Sequence, residues 1–98
     1  MELQEFKRLI NHSNEPEGLN SLLIALWHDA RGDWDAAHNI AQECEGTSDY
    51  DRLHAYLHRK EGDTWNADYW YRRAKIGTFK GNLDSEWDAL ASYYLAKY

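Results

Sequence analysis

The chain is 98 residues long, 43% hydrophobic and 14% aromatic, with a formal net charge of −6. That size suits one domain with a single core, in which a few large rings supply much of the burial. The acidic balance argues against sequence-independent nucleic-acid binding, no apolar run could span a membrane, and a lone Cys44 excludes an internal disulfide or a cysteine zinc site.

Six helices and no strand are readable in chain order. Leu3, Phe6, Leu9 and Ile10 predict a short first helix, broken over His12 to Gly18. Pro16 lies in that break, where it would open the next helix. Leu19, Leu22, Leu23, Leu26, Trp27 and Ala30 form one helical stripe that ends at Gly32. Asp33 is placed to cap a third helix with Trp34, Ala37, Ala41 and Cys44 on one face.

Thr47 or Ser48 would cap a fourth helix that buries Tyr50, Leu53, His54 and Leu57. Gly62 and Asp63 repeat the stop-and-cap device. A fifth helix then turns Ala67, Trp70, Tyr71 and Ala74 inward, with Tyr69 and Arg72 nearer solvent. After a break at Gly77 to Asn82, the stripe Trp87, Leu90, Ala91, Tyr94, Leu95 and Tyr98 predicts a last helix that seals the open end.

Two segments repeat at an offset of thirty residues. Ala25-Leu26-Trp27-His28-Asp29-Ala30-Arg31-Gly32-Asp33 is matched by Ala55-Tyr56-Leu57-His58-Arg59-Lys60-Glu61-Gly62-Asp63. Helix, Gly-Asp, helix at a fixed period points to an all-α fold. The expected architecture is a short right-handed α-α solenoid of two helical hairpins with flanking capping helices. All 98 residues form one domain, with units at roughly 19–46 and 48–76 and a C-terminal cap at 84–97.

With Ala25, Gly32, Trp34 and Ala37 in the first unit, and Ala55, Gly62, Ala67, Tyr71 and Ala74 in the second, the chain resembles a tetratricopeptide-type repeat. The run from Asp51 to Ala74 is also similar to a group of small bacterial proteins of unknown role. The first resemblance implies a peptide-holding inner face, built here from Leu22, Leu26, Asp29, Arg52, Tyr56 and Arg59.

The first function expected is therefore an interaction module for a protein or peptide, through His28, Asp29, Arg52, Tyr56, His58 and Arg59. Tyr56 and Arg59 would anchor it. The alternative is a metal-binding or small-molecule protein, and so possibly an enzyme. His54 and His58 stand one helical turn apart, and His28, the repeat equivalent of His58, could add a third imidazole. No nucleophile motif or phosphate-binding loop accompanies them, so catalysis is not expected, and no cofactor is assigned. Acidic residues such as Asp49 and Asp51 read as surface ion-pair partners. The chain is expected to be cytoplasmic, a monomer or weak homodimer, with no nucleic-acid or membrane partner.

Overall fold

In a computed structural model, which describes residues 1–12 and 14–98, the chain is all-helical, with no strand among the described residues. Ser13, within the predicted break after the first helix, lies outside them. The helices are α1 (Leu3–Leu9), α2 (Ser21–Ala30), α3 (Trp34–Ala41), α4 (Ser48–Lys60), α5 (Thr64–Arg73) and α6 (Leu83–Lys97), with a 3₁₀ turn at Gln42–Cys44 after α3. None is long and apolar enough to cross a membrane.

The repeated sequence folds into a repeated turn. Gly32 and Gly62 adopt φ 86° and 89°, the left-handed region where a side chain is strained. The Asp33 N–H donates to the His28 carbonyl and the Gly32 N–H to Asp29; Asp63 and Gly62 donate in the same way to His58 and Arg59. This is the Schellman closure of a helix end. The same aspartates then cap the following helices, accepting from Ala36 N at 3.0 Å and Asn66 N at 3.2 Å. The pairs α2–α3 and α4–α5 are thus helical hairpins, and α3 packs on α4 to join them.

A third closure of this kind ends α5, where Ile76 and Lys75 donate to Tyr71 and Arg72. Here the left-handed position is held by Lys75, at φ 62°, instead of a glycine.

The main core lies between α1, α2, α3, α4 and α6, around Phe6, Leu22, Leu26, Leu53, Leu57, Leu90 and Tyr94. Ala55, Ala67, Trp70 and Tyr71 form a smaller one between α4 and α5. Trp87 stacks on Phe6 at 5.7 Å and donates its indole N–H to the Leu26 carbonyl at 3.1 Å. Helix α6 therefore lies across the side formed by α2 and α4, with α1 beside it, instead of sealing the end of the stack.

Local expectations are corrected at four places. Helix α2 starts at Ser21, capped by Asn20, so Pro16 and Leu19 precede it. Cys44 is exposed, because the 3₁₀ turn rotates it off the inward face of α3. Thr47 occupies the cap position of α4 without a side-chain bond, while Ser48 Oγ donates to the Ala74 carbonyl. Asp49 and Asp51 are buried, not surface partners. Asp49 accepts from Tyr93, Lys97 and Tyr98 of the C-terminal segment, and Asp51 from the Gly46 N–H.

Two substitutions at equivalent positions have opposite expected signs. Gly62→Val lowers unfolding stability by more than about 1 kcal/mol, since a β-branched residue resists the left-handed conformation. Lys75→Gly raises it by up to about 1 kcal/mol, by removing the same strain. Urea midpoints of the two variants check both; movement in the same direction would contradict the shared turn geometry.

Candidate metal centre

The centre is built where α3 meets α4. Trp34, in the first turn of α3, donates its indole N–H to the Leu57 carbonyl of α4 at 2.8 Å. Its ring stacks on His38, one turn further along, at 4.6 Å and 11°. Trp34 thus fixes both the approach of the two helices and the plane of the His38 ring.

From α4, His54 and His58 project on one face, four residues apart, with ring centroids 4.9 Å apart. Trp70 of α5 backs His54 at 3.9 Å and 15°. Nε2 of His38 and Nε2 of His54 approach to 3.0 Å. One potential ligand atom from each of His38, His54 and His58 falls within 4.8 Å of the others. Two nitrogens bound tetrahedrally to one zinc ion stand about 3.4 Å apart. The 3.0 Å approach and the 4.8 Å limit lie on either side of that spacing.

Charge is disfavoured on His38 and His54. Burial, then the neighbouring His38 and His58, pushes His54 down to about 3, and burial also lowers His38, with His58 adding to it. Neutral imidazole is the form that binds metal. His54 Nδ1 is buried without a hydrogen-bond partner, and two Nε2 atoms at 3.0 Å share at most one proton between them. The cluster therefore holds more lone pairs than its own hydrogen bonds use.

Glu61 completes the arrangement. Its Oε1 lies 2.9 Å from His58 Nδ1, so the carboxylate fixes a proton there and leaves Nε2 as the donor atom. Asp63 is also close to His58 and Glu61, but its oxygens are engaged by the Asn66 backbone and side chain. It serves as the α5 cap.

The structure brings His54 and His58 together as expected, but the third imidazole is His38, not His28. His28 meets Glu15 at 2.7 Å and abuts Trp27. Being the repeat equivalent of His58, it occupies the same place in its own hairpin, while α3 is the helix that faces α4. The available signal was His38 one turn beyond Trp34, next to the inward-facing Ala37.

Helix α6 packs against Arg52 and Arg59 of the expected peptide-holding face and leaves a cleft of about 480 Å³ lined by Asp29, Tyr56, Lys60, Asp84, Trp87 and Asp88. Asp29 is only 2% exposed, accepting from Tyr56 Oη at 2.7 Å and Lys60 Nζ at 2.8 Å. Tyr56 is equally buried, and Arg52 stacks on Tyr93 of α6 at 4.6 Å. Arg59 binds Glu86 of α6 at 2.7 Å and the Gly81 carbonyl. Of the six residues, only His28 and His58 keep clear of these contacts, and they belong to different surroundings. No protein-family model, curated protein or solved structure matches the chain.

The neutral histidines give the metal-free protein a defined pH response. Unfolded histidine binds a proton near 6.5, whereas native His54 and His38 resist it. The unfolded state therefore binds more protons below that pH, so this contribution is complete above 6.5 and is lost as pH falls towards 3. In chelator, the urea midpoint should fall between pH 7 and 5, where most carboxylates are still ionised. His38→Gln/His54→Gln should flatten that slope, and an unchanged slope would contradict the neutral cluster.

Proposed function

We propose that this protein binds one divalent transition-metal ion, zinc foremost, through His38, His54 and His58. The observation that carries the reading is the convergence of three imidazoles from two hairpins within 4.8 Å of one another. A donor set of imidazole nitrogens suits zinc, copper or nickel and disfavours magnesium and calcium, which select oxygen ligands. Two stacked indoles support the reading, since Trp34 and Trp70 hold the planes of His38 and His54. Glu61 supports it from outside, as carboxylates commonly do for metal-ligating histidines.

An ion held in this way would tie α3 of one hairpin to α4 of the next. It would thereby add stability to the junction between hairpins in proportion to its binding free energy.

The test uses untagged protein stripped with chelator and titrated with Zn²⁺ by calorimetry at pH 7.5. One ion per chain, a raised melting temperature and weaker binding at pH 5.5 are expected, the last because protons compete for the imidazoles. His38→Gln and His54→Gln should each abolish tight uptake while keeping the helical circular dichroism of the parent. His28→Gln should bind as the parent does. Absence of uptake, or uptake retained by both cluster variants, would overturn the proposal.

A further inference from the structure

The cleft beside α6 opens where the ends of α1, α2 and α4 meet the start of α6, and its volume of about 480 Å³ is that of a small-molecule site. Asp29 lines it although its side chain is only 1% exposed, the burial of a core group. An ionised carboxylate offers about four acceptor positions. The two oxygens of Asp29 fill one each, with Tyr56 Oη at 2.7 Å and Lys60 Nζ at 2.8 Å. A buried carboxylate with unused acceptor capacity thus borders an open space.

Charge in the cleft is out of balance. Three carboxylates, Asp29, Asp84 and Asp88, share it with two ammonium groups, Lys7 and Lys60. Lys60 pairs with Asp29, and Lys7 with Asp88 at 3.0 Å, which leaves one negative charge in excess. Asp84 carries it, and like Asp29 it acts on the Tyr56 hydroxyl, so both carboxylates address the same wall of the cleft. Among the described residues, the three carboxylates do not bring one oxygen each within 4.8 Å of the others. They are too widely spread to chelate a bare metal ion together, and a cation on an extended body suits them better. Ile10 and Trp87 supply apolar lining for such a body. Lys60 already shows the fit: 37% exposed, it lays an aliphatic stem along the cleft and delivers an ammonium group to buried Asp29.

We infer that this cleft binds a primary ammonium group on an aliphatic chain, carried by a free alkylamine or by a lysine side chain. The excess charge at Asp84 and the free acceptor positions of Asp29 draw the ammonium group, and Ile10 and Trp87 receive the chain. The site is separate from the histidine cluster and does not depend on it. The net charge of −6 attracts cations to the whole surface, so binding in the cleft must be told apart from that general field.

The experiment titrates full-length, metal-stripped protein by calorimetry at physiological salt. The probes are n-butylamine and a capped peptide with one central lysine, which distinguish a free amine from a lysine side chain. Saturable binding of at least one is expected. Asp84→Asn should weaken it about fivefold, the scale of one rim ion pair. Asp84 is exposed, so this variant keeps the fold. Glu43→Gln, which removes an exposed carboxylate outside the cleft, should leave binding unchanged. Lys60→Met should bind about tenfold more tightly, because the ligand replaces the charge-assisted hydrogen bond that Asp29 loses. The same amine should raise its melting temperature more than that of the parent. Absence of saturable binding with both probes would overturn the inference. So would equal effects of Asp84→Asn and Glu43→Gln, or a folded Lys60→Met that binds no more tightly than the parent.

Discussion

The hydrogen bond from the Trp34 indole to the Leu57 carbonyl is the constraint on which the centre depends. It joins the start of α3 to the later part of α4, and so sets how the first hairpin approaches the second. Everything at the junction follows in register: His38 comes one turn after Trp34, and His54 and His58 flank Leu57 on α4. A side-chain bond to a helix backbone carbonyl is a local contact, yet here it fixes the relation between two units that share no turn.

Polar groups under α6 do comparable work on the opposite side of α4. Asp29, Asp49 and Glu86 are all buried carboxylates, and each accepts from one tyrosine or more and from one cation. Buried charge is costly unless it is both paired and hydrogen-bonded, and all three meet that condition. Burial pushes the hydroxyls of Tyr56, Tyr71 and Tyr94 up, away from ionisation, so they remain donors. The apolar stripe of α6 draws the helix onto α2 and α4, and the contacts of Asp49 and Glu86 fix where it stops.

Local pattern made much of this legible before any coordinates. Gly-Asp at positions 32–33 and 62–63 marks both hairpin turns, because left-handed backbone and side-chain capping are properties of single residues. The inward arc of Trp70 and Tyr71 follows from helical period alone. The position of α6 did not, since an amphipathic stripe says that a face is covered and not by which neighbours. His38 was missed for a related reason. Repeat symmetry directed attention to His28 and His58, which occupy equivalent places, whereas a site between hairpins requires residues from non-equivalent helices. Asp29, Asp49 and Asp51 look like any other carboxylates in the sequence, and only tertiary packing shows them buried.

The shared role of Asp33 and Asp63 has a further consequence. Each closes one helix through its backbone N–H and opens the next through its carboxylate, so neither hairpin turn contains a spare residue. Adding or deleting a single position there would rotate the second helix by about 100° about its axis and carry Trp34 or Trp70 off the junction. Variation in repeat length must then fall on the segments between hairpins, or come in whole turns of helix. The rigid unit of this fold is the hairpin, and its freedom to diverge lies in the joints.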